Sequence, residues 1–99
     1  MKNTALFAIA MMLGAAGGAQ AYNGEAMEKK AHIKMDKASA IALKARPGTI
    51  TDRELEREKG GSGLRYSFDI TAAKVKYEVG VDAMTGALLE NAREGANPD

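Results

Sequence analysis

The chain has no cysteine, no tryptophan, one histidine, two prolines and five aromatic residues in 99 positions. Without cysteine there is no disulfide framework, no thiolate metal centre and no lipoprotein-type anchor. The lone imidazole, His32, has no HxxxH or HxxE spacing around it, which leaves little from which to build a metal site or a Ser-His pair. An excess of one charge is also missing, since 14 Lys and Arg stand against 13 Asp and Glu. With 45% hydrophobic content and a net charge of +1, the chain is neither a disordered polyelectrolyte nor a dedicated nucleic-acid binder. Its length leaves room for one small domain and excludes most large enzyme scaffolds.

What is present begins with an export pattern. Lys2 is the only charge in residues 1–21, an apolar run extends from Ala5 to Leu13, and small residues close on Ala19-Gln20-Ala21. This is the layout of a secretory signal peptide, with Ala19 and Ala21 marking cleavage before Tyr22. The competing reading is an uncleaved anchor, but Gly14, Gly17, Gly18 and Gln20 interrupt the run before the ~20 residues of a span. Removing 1–21 leaves 78 residues with 13 basic and 13 acidic side chains, so the positive surplus belongs to the leader. No excess cation remains to displace counterions from phosphates, and no nucleic-acid partner is expected. Membrane contact is confined to export, and the expected location is periplasmic or secreted. A chain this small buries only about 60% of its unfolded surface and must fold by packing alone.

Residues 22–32 are polar and weakly patterned, and are expected to form a flexible arm. Asn23 can cap a short helix and Glu25 with Lys29 is a favourable i,i+4 pair, yet two turns are marginal without packing. From Met35 to Arg46, Ala38, Ile41, Ala42 and Ala45 fall on one helical stripe. Asp36 at the start and Lys44 and Arg46 at the end suit the helix dipole, and Pro47-Gly48 ends the helix. After Gly48 the period changes to two. Ile50 and Leu55 differ in parity, which predicts a bend or bulge between them. Asp52–Lys59 reads as a charged edge strand, with helix as the competing assignment.

Gly60-Gly61-Ser62-Gly63 lacks the P-loop spacing and its Lys-Ser/Thr ending, and is expected to be a hairpin connection. Leu64, Tyr66, Phe68 and Ile70 alternate with polar residues, as do Val75, Tyr77, Val79 and Val81. These are two half-buried antiparallel strands. Thr71-Ala72-Ala73 contains no Gly or Asn for a two-residue primed turn. A loop of about four residues is therefore expected, with Ile70 opposite Val75 and Asp69 across from Lys76. A tighter register would set Asp69 against Lys74 and Arg65 against Glu78. In Asp82-Ala83-Met84-Thr85-Gly86 a turn is spelled out: Asp82 accepts backbone amides ahead of it and Gly86 takes the positive φ. Leu88 and Leu89 resume the apolar pattern as a short last strand, and residues 92–99 are expected to be frayed.

The inventory for chemistry is thin, and no catalytic residue, metal site or cofactor is expected. Glu54, Glu56 and Glu58 lie on one strand face about 6.5–7 Å apart, a spacing open to a basic partner or a weakly held cation, although with Lys59 beside them and arginines opposite a solvated edge is the favoured reading. Arg53 and Arg57 lie on the other face. Asp82 lacks the repeated Asp/Asn spacing of a calcium loop. Met27, Met35 and Met84 are too scattered for a copper site.

The order and spacing of several of these elements resemble a PepSY domain over residues 33–91. They are Ile33 followed by Ala38, Ile41-Ala42-Leu43, the stop at Pro47-Gly48, Leu64-Arg65-Tyr66-Ser67-Phe68, Tyr77-Glu78-Val79, and Val81 to Gly86 leading to Leu88. Lys34 departs from the pattern, because the family often has a capping Ser or Thr there. The resemblance implies an α+β fold, one helix on a three- to four-stranded antiparallel sheet. It also implies a non-catalytic module of the kind found in propeptides of thermolysin-type metallopeptidases, in membrane proteins and as small exported proteins. The expected partner is then a peptidase or the exported domain of a membrane protein. Its contact surfaces would be the charged edge at Arg53 to Lys59, with Arg53, Glu54, Glu56 and Arg57 foremost, and the polar sheet face of Arg65, Ser67, Lys74, Lys76 and Glu78. The alternative is an envelope protein that binds a metal ion or small ligand.

Overall fold

A computed structural model describes residues 21–95. The expected leader, apart from Ala21, and residues 96–99 lie outside the described part. A 3-10 helix, Glu25–Lys30, precedes α1 (Met35–Ala45) and four strands: β1 (Thr49–Arg57), β2 (Leu64–Ala72), β3 (Val75–Asp82) and β4 (Leu88–Arg93). The strands lie in chain order, each antiparallel to the next, and α1 packs across β2, β3 and β4. This is the expected α+β architecture, with four strands.

The core sits between the helix and one sheet face. Ala38 and Ala42 are wholly buried against Tyr66, Phe68, Ile70, Val79 and Val81. Small helix residues let the large sheet side chains fill the space between layers. The Tyr66 hydroxyl donates to the Ile33 carbonyl at 2.7 Å, which satisfies the polar end of a buried ring.

Lys34 stands at the N-cap of α1 without a side-chain cap, and Glu28 supplies one from outside the helix. Its carboxylate accepts from the Met35 amide at 3.0 Å and from the Tyr22 hydroxyl. Met27, Ala31 and Tyr22 pack against the core, which provides the packing a short helix in residues 22–32 needs. At the other end the Arg46 amide closes on the Ala42 carbonyl at 2.8 Å before Pro47.

Asp52–Arg57 is strand, part of a single β1 whose register with β2 shifts between Ile50 and Asp52. The bulge puts Ile50 and Leu55 on the same, core-facing side. The β2–β3 hairpin differs from expectation. Ala72 pairs with Val75, Ile70 with Tyr77 and Asp69 with Glu78, so the connection is the two residues Ala73-Lys74. Both take positive φ, 52° and 68°, as a two-residue primed turn requires. The right-handed twist of the paired strands and the burial of Ile70 outweigh the steric preference of Ala and Lys. β4 continues to Arg93, and the Glu94 amide still donates to the Lys76 carbonyl at 2.8 Å. Among the described residues no helix is long and apolar enough to cross a membrane.

Candidate partner-binding surface

One edge of the sheet is β1, and beyond the bulge, from Asp52 onward, its even-numbered side chains lie on the face away from α1. Glu54 pairs with Ser67, Glu56 with Arg65, and Asp52 with Asp69. Farther across the sheet come Glu78, Glu90 and Glu94. Together with Glu58, these eight carboxylates line an open trough of about 540 Å³. Burial raises the pKa of Glu54, and repulsion from Glu56 and Asp52 adds to it, against a hydrogen bond with Asn23. Glu78 is raised by burial and then by Glu90, Asp69 and Glu94. Asp69 is raised by burial and by Glu94, partly offset by Lys76. The trough is therefore a surface of crowded like charge.

Among the described residues, two cations belong to this face. Lys76 is exposed, with its Nζ 3.8 Å from Glu94. Arg65 is only 7% exposed: Nη1 lies 3.3 Å from Glu90 and Nη2 donates to the Lys59 carbonyl at 3.1 Å. Gly80 makes room for it, since a Cβ there would come within 3.0 Å of Nη1. Arg65 thus works inside the fold, beneath the β1–β2 loop, and is not displayed on the surface.

That loop is tied down. Asp82 accepts from the Ser62 amide at 2.6 Å, the Ser62 hydroxyl at 2.8 Å, the Met84 amide at 2.8 Å and the Thr85 amide at 3.1 Å. Burial alone would raise its pKa, but these donors outweigh it and draw the carboxyl down to about 2. Gly61 lies against the same carboxylate, and a Cβ at this φ of +55° would come within 2.2 Å of it. The Gly86 amide closes the following turn on the Asp82 carbonyl at 2.9 Å. The carboxylate thus holds loop and turn together, and the neighbouring Ala83 carbonyl accepts from the His32 and Ile33 amides on the approach to the helix.

Arg53 and Arg57 pair with Phe68 and Leu64 and occupy the opposite side of β1 from the glutamates. Lys74 is in the β2–β3 turn, at the far end of the hairpin from Arg57, so these cations do not form one patch. Asp69, Glu78 and Glu94 have carboxylate oxygens within 4.8 Å of one another, a spacing compatible with a hard cation. Met35 is buried in the core and Met27 and Met84 pack against it, while His32 is exposed. Sequence reasoning missed Asp52, Asp69, Glu90 and Glu94. The face of the last two depends on a register shift between Gly80 and Val81 that leaves Leu89 unopposed, and no composition signal marks it.

The edge of β1 is partly occupied. Asn23 forms a parallel bridge with Glu54, and the Leu55 amide donates to the Asn23 carbonyl at 2.9 Å. Gly24, at φ +90°, turns the chain away from the edge, where a Cβ would collide with the Leu55 carbonyl at 1.8 Å.

The family model described as "Peptidase propeptide and YPEB domain", PepSY, matches residues 33–91. The chain belongs to the PepSY family. No curated protein and no solved structure matches it. PepSY domains are propeptide and peptidase-inhibitor-like modules, generally non-catalytic and typically extracellular or periplasmic. In this PepSY chain the matched segment starts at Ile33, so the Glu28 cap and the Asn23 bridge come from residues that precede the match. The trough, the Arg65 clamp and the Asp82 knot all draw on residues within the match, with Glu94 just beyond it.

Proposed function

We propose that this PepSY protein is a non-catalytic binding module of the periplasm or secreted space. It acts on a peptidase or on the exported domain of a membrane protein, and the β1 edge makes the contact. The observation that carries this reading is that the edge already holds one residue in a strand-like bridge, with the Leu55 amide donating to the Asn23 carbonyl. Strand addition there supplies backbone hydrogen bonds, and the Arg53, Glu54, Glu56 and Arg57 alternation selects the partner. The signal-like leader and the family's usual compartments support the location.

The test is cross-linking of the tagged protein in the cell envelope, with mass spectrometry of the captured species and a peptidase assay on any peptidase found. The R53E/R57E variant is expected to lose the capture while remaining folded. Capture that is unchanged in this variant would place the contact elsewhere.

A further inference from the structure

We propose that the outer edge of β1 takes an extended partner segment that carries a basic residue at every second position, on the side facing the acidic trough. This deepens the edge-binding reading above and rests on it. A strand added to β1 continues the sheet, and its alternate side chains lie beside Asp52, Glu54 and Glu56, with Cβ atoms about 4.5–5.5 Å from theirs. Behind these stand Asp69, Glu78 and Glu94. Of the two cations on this face, Arg65 is committed to Glu90 and the Lys59 carbonyl, and Lys76 lies beside Glu94. Burial first and then the neighbouring carboxylates raise Glu54, Asp69 and Glu78, and positive side chains arriving at this spacing relieve the repulsive part.

The same pattern argues against a second copy as the occupant. Any antiparallel pairing of two β1 edges that keeps their faces aligned sets Asp and Glu against Asp and Glu and brings no acidic residue opposite Arg53 or Arg57. A heterologous segment with the opposite alternation meets no such repulsion: basic over the trough, acidic or apolar toward Arg53, Leu55 and Arg57. Alternate residues of a strand turn their backbone groups to the same edge, so those of Arg53 and Arg57 project with those of Leu55. The incoming segment takes over the Leu55 amide, displacing the single bridge to Asn23.

The test uses three ten-residue peptides titrated onto the protein purified from the cell envelope: alternating Lys-Val, alternating Glu-Val, and five Lys followed by five Val. Alternating Lys-Val is expected to bind at least about tenfold tighter than the other two, the effect of two or three cross-strand charge pairs. It is also expected to slow amide exchange at Leu55 and Arg57. D52N/E54Q/E56Q, nearly isosteric, should weaken it about tenfold. If that variant unfolds early, D52N alone, at an exposed position, gives the same comparison with a smaller loss.

Equal binding of alternating Lys-Val and either control overturns the proposal, as does binding that leaves the β1 amides unprotected. Envelope capture that depends on Arg53 and Arg57, with no discrimination among the peptides, removes this proposal and leaves the edge reading standing. Capture indifferent to Arg53 and Arg57 removes the edge reading itself.

Discussion

Replacing Asp82 with Asn is expected to lower the unfolding free energy by about 2–3 kcal/mol at neutral pH and to remove an acid-sensitive part of the protein's stability. The carboxylate is 1% exposed and accepts four hydrogen bonds, two of them from Ser62. Asn keeps one acceptor oxygen for the Met84 and Thr85 amides but sets its own NH2 against the Ser62 amide, losing at least one bond to a charged acceptor. The fall of the Asp82 pKa from an ordinary 3.8 to about 2 corresponds to roughly 2.5 kcal/mol. The folded value is the lower one, so the unfolded chain takes up the proton first. The stabilisation is therefore complete above the ordinary value and disappears as pH falls through about 2. Glu54, Asp69 and Glu78 are raised instead, and their repulsion eases on protonation, but wild type and D82N share them. Urea unfolding of both proteins at pH 7, 4, 3 and 2 isolates the Asp82 contribution as their difference. A gap that stays constant from pH 7 to pH 2, or one below about 0.5 kcal/mol throughout, would refute this account of the knot.

The A73N/K74G exchange should stabilise the protein by about 1–2 kcal/mol in urea unfolding, because Ala73 and Lys74 both hold positive φ that Asn and Gly adopt more easily. An unchanged or lower midpoint would mean that the turn is not held in this geometry. E28A should cost about 1 kcal/mol through loss of the cap on the Met35 amide. Adding K34S, at an N-cap position already in extended backbone, should restore most of the loss, and a failure to restore it would show that Glu28 acts through something other than capping.

Legibility divided along the chain by the range of the interactions involved. Helix α1 could be located from Ala38, Ile41, Ala42, Ala45 and Pro47, because a stripe and a stop are local facts. The bulge after Ile50 followed from parity alone, since a residue count settles which face a strand residue takes. The β2–β3 register did not follow. Loop residues suggested a wide connection, while the alignment of Ile70 with Tyr77 and Phe68 with Val79 decided for a tight one. Glu28 escaped attention because it caps a helix seven residues away instead of within the usual capping box. Ser62 escaped because its partner Asp82 is 20 residues distant, and the glycines around it suggested freedom where the fold imposes close contact.

By itself, the sequence determined the α+β element pattern, the Asp82–Gly86 turn and the alternation of Arg53 and Arg57 with Glu54 and Glu56. Only the tertiary structure decided that the glutamates join Asp69, Glu78, Glu90 and Glu94 in one acidic trough, that Arg65 is buried beneath a loop, and that residues 22–24 lie on the β1 edge. Periodicity assigns each side chain to a face of its own element. Which faces and charges meet depends on strand register and loop docking, and those are set by the packing of residues distant in the chain.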